Sequence, residues 1–253
     1  MAYQLDVLPV ALPGLRAVRS RGTELYVGLK DAFVITRLVE GRTRFWTHGR
    51  EWYPATGSIV IQQPGDVHRE LARDGCVTYQ IVRIASPLVE EAFADVRVHA
   101  CLPAGDARAR PFDELHDAVA AGADRFTLEC ALAEAVGAMV AMEQPRRSHT
   151  FPVRRSLAML RDRFDENLTL DELAAHARLD KFHLCRAFRE QVGMPPHAYQ
   201  IHLRVMHAKR MLEEGAKPKD VAPRVGMYDQ SQLIRHFRRI VGMTPGQFAA
   251  RAV

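Results

Sequence analysis

Residues 225–248 read VGMYDQSQLIRHFRRIVGMTPGQF. The second half of this run, FRRIVGMTPGQF at 237–248, repeats the segment FREQVGMPPHAY at 188–199 with a shift of 49 residues. Further upstream, Leu-Ala at 173–174 matches Val-Ala at 221–222 with a shift of 48, so the second copy has one extra residue. Because a recurring segment marks a structural repeat, we expect one supersecondary unit to occur twice in the C-terminal region.

Each copy is predicted to be a helix, a tight turn and a second helix. In the first copy, Thr169 and Glu172 have the spacing of a capping box that opens a helix ending at Ala177. Asp180 then provides a favourable N-cap for a second helix over residues 181–191. This order of elements is that of a helix-turn-helix, whose second helix enters the major groove of DNA.

The second helix of each copy has an apolar face and a face suited to DNA. Leu184 and Phe188 are predicted to point inward in the first copy, and Leu233 and Phe237 in the second. On the opposite faces, arginine can bind guanine, glutamine can bind adenine, and an apolar group can contact a thymine methyl. The alternative is that each of these faces is merely solvated. For Cys185, a plain surface thiol is the main interpretation and a redox switch is the alternative. The predicted DNA-binding residues are Lys181, Phe182, Cys185, Arg186, Arg189, Gln230, Ser231, Ile234, Arg235 and Arg238.

A long helix is predicted between the two copies. It begins near Pro196, ends near Glu214 before Gly215, and has an apolar stripe that includes Ile201 and Val205. Its length is roughly 28 Å at a rise of ~1.5 Å per residue. With the widths of the flanking units, this length would separate the two second helices by about one turn of DNA, ~34 Å. One chain could then read two successive major grooves.

Charge is distributed unevenly along the 253 residues. Residues 1–145 contain 15 Lys and Arg against 19 Asp and Glu, whereas residues 146–253 contain 20 against 11, a net charge of +9. A basic half favours nucleic acid as its partner, since lysine and arginine neutralise phosphates; a basic surface without a partner is the alternative. We place the domain boundary between residues 145 and 146, in a polar segment that is poor in core residues.

Composition excludes several classes of protein. The chain is 47% hydrophobic and 26% charged, which is typical of a globular protein rather than a disordered or fibrous one. No apolar run approaches the ~18 residues of a membrane span, and residues 1–15 lack the layout of a secretion signal. The four cysteines are far apart in sequence, which favours reduced thiols. We therefore expect a cytoplasmic protein without a membrane partner.

The N-terminal half is predicted to contain short strands followed by helices, which gives an α+β fold class overall. The helices are expected at 111–121 and 127–142, the second with an apolar stripe. Strands this short and this closely spaced indicate a small barrel or jelly roll. They are predicted at residues 33–39, 43–47, 51–53, 58–61 and 77–85.

One segment of this half resembles the second sequence motif of cupins, which are small β-barrels. It runs from Gly57 through Pro64-Gly65 to His68, and His68 occupies the position of a metal ligand. The strand where metal cupins carry their other ligands reads GLKDAF at 28–33, whereas a divalent metal needs three or four ligands. We therefore predict no metal and no cofactor, and interpret His68 as a turn or pocket-rim residue.

Residues 152–250 resemble the DNA-binding domain of the AraC/XylS family of bacterial transcription regulators, and the run at 225–248 carries the family signature. Residues 20–85, with VITRLVEG at 34–41 and QPGDVH at 63–68, resemble the cupin-like effector and dimerisation domain of that family. The resemblance implies an N-terminal cupin-like β-barrel with accessory helices and a C-terminal all-α domain with two helix-turn-helix units joined by a long helix. It also implies promoter DNA as partner, homodimerisation through the N-terminal domain, and activation through contacts to RNA polymerase. It places base reading at Phe182, Cys185, Arg186, Gln230, Ser231 and Arg235.

Two residues depart from the family pattern. Arg178 stands where the first turn usually has glycine, and a positive φ at arginine costs roughly 1 kcal/mol. Pro223 lies within the first helix of the second unit and would cost up to ~3 kcal/mol in a regular helix. We expect these residues to make the units less rigid.

The predicted function is a non-catalytic, sequence-specific transcription regulator that is controlled by a small molecule. Two alternatives are a cupin-type enzyme fused to a DNA-binding module and a regulator controlled by a protein partner. We expect the effector to contact polar and aromatic groups on the barrel strands, with an exposed or structural role as the alternative for each. These residues are Arg37, Trp46, His48, Trp52, Tyr79 and Arg83.

Overall fold

The computed structural model describes residues 4–85, 88–89, 98, 100–142 and 149–252. The chain divides into two compact units, Met1–Arg147 and Ser148–Val253. The boundary predicted between residues 145 and 146 lies outside the described residues. Within the described part of the chain, no helix is both long and apolar enough to cross a membrane.

The N-terminal unit contains two antiparallel sheets. The strands of the described residues are β1 (Gln4–Leu8), β2 (Leu15–Gly22), β3 (Val27–Leu29), β4 (Phe33–Glu40), β5 (Thr43–Thr47), β6 (Arg50–Trp52), β7 (Ile59–Gln62), β8 (Val67–Arg73), β9 (Val77–Ile84) and β10 (Ala100–Leu102). Their order is β1-β2-β9-β4-β7-β10 in the six-stranded sheet and β3-β8-β5-β6 in the four-stranded sheet.

The five predicted strands correspond to β4, β5, β6, β7 and β9. The hairpin predicted around residues 48–50 joins β5 to β6 through His48 and Gly49, whose φ angles of 49° and 73° are both positive. Two positive φ angles in a two-residue loop match the twist of antiparallel strands. The remaining strands were not predicted, and β2 among them alternates between buried and exposed side chains.

Two helices, α1 (Arg110–Ala120) and α2 (Arg125–Ala141), pack on the six-stranded sheet. Their buried side chains include Phe112 and Leu132, which share one hydrophobic cluster with Ile35 of β4, Ile61 of β7 and Ile84 of β9. Both helices match their predicted positions to within two residues at each end. The core of this unit therefore lies between the helices and one face of the six-stranded sheet.

The C-terminal unit is all-helical in the described residues. The helices are α3 (Phe151–Asp162), α4 (Leu170–Ala177), α5 (Lys181–Val192), α6 (Pro196–Glu213), α7 (Pro218–Arg224), α8 (Gln230–Val241) and α9 (Pro245–Ala252). The first helix-turn-helix is α4 followed by α5, the second is α7 followed by α8, and α6 connects them. The fold class, an α+β chain with a sheet-rich first unit and a helix-turn-helix second unit, is as predicted.

The sequence repeat is also a structural repeat. Phe188 packs edge-on against Tyr199, with ring centroids 5.8 Å apart and planes at 75°. At the equivalent positions, Phe237 packs edge-on against Phe248 at 5.5 Å and 67°. Three of these rings are buried and Phe248 is half-buried. Each unit is therefore stabilised by its own aromatic pair, and edge-to-face pairs add stability beyond the area they bury.

The predicted departures occur at the two turns. Arg178 ends α4 with φ 56° and ψ 44°, in the left-handed region, whereas Gly226 follows α7 with φ 72° in the second unit. Pro223 lies in the last turn of α7, and the helix ends one residue later at Arg224. Because Pro223 has no N–H group, a backbone carbonyl in the preceding turn of α7 lacks its helical hydrogen bond. Pro223 is exposed at the end of the helix, so water can donate to that carbonyl instead.

Candidate nucleic-acid interface and ligand site

Helix α5 is fixed at both ends by local hydrogen bonds. The Asp180 side chain accepts hydrogen bonds from the backbone N–H groups of Phe182 at 2.9 Å and His183 at 3.3 Å. Gly193 ends the helix in the left-handed region, with φ 94°. Leu184 and Phe188 are fully buried, so the rotation of the helix about its axis is determined by its apolar face.

The opposite face of α5 is directed to solvent. Phe182 is 72% exposed, and Arg186 and Arg189 are exposed as well. Cys185 is half-buried, as is Lys181, whose ammonium group lies 3.0 Å from an Asp171 carboxylate oxygen. The predicted residues therefore share one face, although Lys181 already has a partner within the protein.

Helix α8 presents the equivalent face in the second unit. Asp229 caps it by accepting a hydrogen bond of 2.6 Å from the backbone N–H of Gln232, and Leu233 and Phe237 are fully buried. A shallow depression of about 510 Å³ lies on the outer face of the helix. Its lining residues are Ser231, Ile234, Arg235, Arg238 and Arg239. The predicted residues of this copy, Gln230, Ser231, Ile234, Arg235 and Arg238, are all exposed.

Four arginines on these faces are available to a ligand. Among the residues that the structure describes, no carboxylate forms an ion pair with Arg186, Arg189, Arg235 or Arg238. An exposed guanidinium without an internal partner can bind a phosphate or the edge of a guanine through two parallel hydrogen bonds. The arrangement therefore concentrates unpaired positive charge on both second helices.

Sequence reasoning missed Tyr228 and Arg239 at this surface. Tyr228 is 95% exposed and is the extra residue of the second turn, just before Asp229, the N-cap of α8. Its backbone N–H donates to the Gln232 side chain at 2.8 Å, which holds it against the first turn of the helix. Arg239 hydrogen-bonds His236. The pKa of His236 is lowered mainly by burial and secondly by the positive charge of Arg239. The one-residue insertion was the signal that could have drawn attention to Tyr228.

The six predicted effector residues are not gathered at one place. Tyr79 and Arg83 lie on the same face of β9, since side chains four residues apart in a strand point the same way. The Tyr79 hydroxyl donates to Glu70 of β8 at 2.6 Å, so this face looks toward the four-stranded sheet. Arg37 points to the other side of the six-stranded sheet, where it lies 2.7 Å from Asp117 of α1.

The other three predicted residues lie elsewhere in the four-stranded sheet. The Trp46 ring is stacked by Arg69, with the guanidinium carbon 5.4 Å from the ring centroid. His48, in the β5–β6 turn, hydrogen-bonds Asp66 at 2.8 Å. Trp52 of the short strand β6 is covered by Arg50 at 4.8 Å. Their role as effector contacts stays a prediction.

The space between the two sheets contains a polar network. Glu70 accepts hydrogen bonds from the Tyr79 hydroxyl, from the backbone N–H of Tyr26 at 2.7 Å, and from Arg73 at 2.6 Å. His68 of β8 hydrogen-bonds Gln62 of β7 at 2.7 Å and thereby links the two sheets. Among the described residues, no three His, Cys, Asp or Glu side chains gather as a metal ion would require.

Burial alters the ionisation of two groups in this network. Desolvation, followed by the positive charge of Arg83, lowers the pKa of Lys30 to about 8. Desolvation, followed by the positive charge of Lys30, holds the pKa of His68 well below its usual value. His68 is therefore neutral at physiological pH, and the Lys30 ammonium is less stable than it would be in water.

Comparison with known proteins gives matches to both units. Residues 22–136 match the family model described as an AraC-like ligand binding domain, and residues 173–251 match one described as a helix-turn-helix domain. Together these segments cover well over half of the chain. The predicted similarity of both halves to one family of regulators is confirmed.

Curated relatives match between about a third and two fifths of the chain. The uncharacterized HTH-type transcriptional regulator YbfI of Bacillus subtilis is 36% identical over 81 residues, which is 32% of this chain and 30% of that protein. HTH-type transcriptional regulator MtrA of Neisseria gonorrhoeae is 28% identical over 88 residues, or 34% and 29% of the two chains. The melibiose operon regulatory protein of Escherichia coli K12 is 25% identical over 103 residues, or 40% and 34%. The chain thus spans about a third of the length of these relatives.

Solved structures match the whole chain in fold. ToxT from Vibrio cholerae O395 aligns with a TM-score of 0.53 and 10% identity, over 99% of this chain and 98% of that one. Unsaturated fatty acid bound ToxT from strain SCE256 aligns with a TM-score of 0.50 and 10% identity, over 98% and 94%. The order of a sheet-rich unit and a double helix-turn-helix unit, with both family models matched in that order, leads to one assignment: the chain belongs to the AraC-type family of helix-turn-helix regulators.

Proposed function

We propose that the protein is a sequence-specific, DNA-binding transcription regulator without catalytic activity. The observation that carries this proposal is the pair of exposed faces on α5 and α8, each with two arginines that the described residues leave unpaired. Phosphate contacts by such residues supply affinity, and base-edge contacts supply specificity. The curated relatives, which are named as transcription regulators, support the same function.

Control of DNA binding by a small molecule is the second part of the proposal. Residues 22–136 match a ligand-binding domain, and the neighbour ToxT has been crystallised with an unsaturated fatty acid. Promoter DNA is the partner of the C-terminal unit, and RNA polymerase is the partner through which bound protein would activate transcription. We place both partners in the cytoplasm.

Homodimerisation through the N-terminal unit is the third part of the proposal. The outer face of α2 carries Phe126, which is 74% exposed, together with exposed Cys130, Ala133 and Gly137. Small residues permit two helices to approach closely, so this face can pack against a second copy. Ala133→Glu should convert a dimer to a monomer in light scattering, whereas Arg125→Glu at the charged start of the helix should leave the mass unchanged.

The DNA-binding proposal is tested with the full chain and a random pool of duplex DNA. We expect selection to enrich one operator, and the affinity for it to fall steeply with salt because each neutralised phosphate releases counterions. Arg186→Ala combined with Arg235→Ala should abolish enrichment, whereas Arg110→Ala, on the surface of the other unit, should not affect it. Failure to enrich any sequence, or binding that is insensitive to salt, would contradict the proposal.

A further inference from the structure

His236 and Arg239 form a hydrogen-bonded pair on α8. They are three residues apart, so they lie on the same side of the helix, and Arg239 Nη2 is 3.1 Å from His236 Nδ1. A guanidinium can only donate hydrogen bonds. His236 Nδ1 is therefore the acceptor, and the neutral ring carries its proton on Nε2.

This pair lies at the edge of the face that is proposed to bind DNA. Arg239 is exposed and lines the depression on α8 together with Arg235 and Arg238, whereas His236 is half-buried. In a helix-turn-helix, the first residues of the second helix contact base edges. His236 and Arg239 lie in later turns of that helix, so we expect them to lie near the phosphate backbone.

The charges that act on His236 are positive. Burial has the largest effect and lowers the pKa of His236, and Arg239 and Arg235 of α8 lower it further, as do His197 and Arg204 of α6. In the part of the chain that the structure describes, no carboxylate forms an ion pair with His236 or Arg239. The ring is therefore neutral near pH 7 in the unbound protein.

A second imidazole, that of His202 on α6, lies beside the pair but is buried. Its Nδ1 atom has no hydrogen-bond partner among the described residues. Burial, followed by the positive charges of Arg239 and His236, lowers the pKa of His202 to about 4. His202 therefore stays neutral between pH ~6 and ~8 and gives no proton-linked response there.

Protonation of His236 would change the chemistry of the pair. Nδ1 would then carry a hydrogen, so two positively charged donors would face each other at the present distance of 3.1 Å. Such donors repel each other unless an anion accepts a hydrogen bond from both, and charge-assisted hydrogen bonds of this kind are strong. The phosphodiester groups of DNA carry suitable oxygen atoms.

We propose that His236 and Arg239 form a proton-linked phosphate site, in which one backbone phosphate of the operator accepts hydrogen bonds from both side chains and His236 takes up one proton. The proton comes from solvent and binds at Nδ1, because Nε2 already carries one. This inference rests on the proposed DNA-binding function and adds a pH response to it. The affinity for DNA rises as the pH falls through the interval between the pKa of His236 in the free protein and its higher pKa in the complex.

The first test measures the affinity of the full chain for the selected operator at pH ~6 and pH ~8, at one salt concentration. We expect the wild type to bind about five- to tenfold more tightly at the lower pH, since a rise of one pKa unit corresponds to a factor of ten. His236→Gln keeps an acceptor for Arg239 but cannot be protonated. It should bind like the wild type at pH ~8 and lose most of the gain at pH ~6. The matched control is His176→Gln, an exposed histidine of α4, which should retain the gain.

The second test observes the ring of His236 by NMR. With isotope-labelled histidine, His236→Gln assigns the signals of this ring among those of the 11 histidines. We expect the Nε2–H tautomer in the free protein. We also expect the titration midpoint of His236 to rise by roughly one unit in the operator complex, because a nearby phosphate favours the imidazolium. A histidine with a purely structural role would keep its midpoint.

The third test uses the wild type with operators in which single phosphates are replaced by neutral methylphosphonates. One replacement should remove most of the pH dependence, and it identifies the phosphate that the pair contacts. A pH dependence that survives every replacement, or an unchanged midpoint of His236 in the complex, would overturn the phosphate site while operator binding remains. Absence of operator binding by the wild type at both pH values would instead refute the proposed regulatory function, and the phosphate site with it.

Discussion

Gly226 packs against the backbone carbonyl of Asp165 so closely that a β-carbon at position 226 would collide with it. Asp165 belongs to the loop between α3 and α4, which α6 holds in place. Arg204 donates to the carbonyls of Phe164 and Glu166, both at 2.7 Å. The turn of the second helix-turn-helix thus rests on the loop that leads into the first.

Gly226→Ala should destabilise the protein by more than backbone strain alone. A positive φ at alanine costs roughly 1 kcal/mol, and the collision with the Asp165 carbonyl adds to it, so we expect a loss of about 2–4 kcal/mol. The matched control is Gly242→Ala, because Gly242 has φ 85° but open space where a β-carbon would lie. Urea unfolding of both variants measures the difference, and equal losses would show that the contact with Asp165 contributes nothing.

Arg178→Gly should have the opposite effect in the first unit. Arg178 has φ 56° at the position equivalent to Gly226, so glycine removes left-handed strain, and we expect a gain of about 0.5–1 kcal/mol. Arg178→Ala, which keeps the strain and removes only the side chain, is the control. A gain of the same size in Arg178→Ala would assign the effect to the guanidinium rather than to the backbone.

The two units are predicted to read separate parts of the operator. Arg186→Ala and Arg235→Ala should each cost ~1–3 kcal/mol of binding free energy and relax sequence preference at positions about one helical turn apart. Arg189→Ala and Arg238→Ala should weaken binding to all sequences alike and reduce the salt dependence, as expected for phosphate contacts. Binding isotherms and footprints on the selected operator distinguish the two pairs. Arg186→Ala and Arg235→Ala acting on the same base pair would contradict reading by both units.

The desolvated ammonium of the half-buried Lys30 should impose a pH dependence on stability. Its pKa of about 8 in the folded state lies below the ordinary value, because burial and Arg83 outweigh Asp31, Glu70 and Asp66. Below pH 8 both states are protonated and the full cost is present; at higher pH the folded state releases the proton first, so stability is regained. Lys30→Met should therefore be more stable than the ligand-free wild type by about 1–3 kcal/mol near pH 7, and by less near pH ~9.5. Urea unfolding at both pH values checks this, and a constant difference would contradict a lowered pKa.

Local signals in the sequence were sufficient for the two helix-turn-helix units and the helix between them, whereas α3 and α9 were not predicted. Capping residues such as Thr169 and Asp180 mark helix starts because their side chains satisfy free N–H groups nearby. The 49-residue repeat then located α8 from α5, and the left-handed Arg178 followed from its position in the turn. Helix caps and turn conformations depend on residues that are close together in the chain, so they can be predicted from a single sequence.

The side chains that face the space between the two sheets could not be predicted in the same way. Which face of a strand points inward depends on strands far away in sequence, as the pairing of Thr36 with Ile81 illustrates. Arg37 was expected in the interior, yet it points toward α1, whereas Lys30 was overlooked because a lysine beside an aspartate looks like a solvated turn. The strand β2 was missed since arginines occupy its outward positions.

Helix α6 belongs to the hydrophobic interior of both helix-turn-helix units. Its first turns supply Tyr199 to the ring pair with Phe188, and its later turns supply Val205 and Leu212 to the cluster around Phe237. If one helix-turn-helix unit unfolds, one end of α6 loses its packing partners, and the other unit depends on the same helix. The helical unit should accordingly melt in a single cooperative transition. A substitution that destabilises α5 or α8 should therefore lower the folded population of both helices.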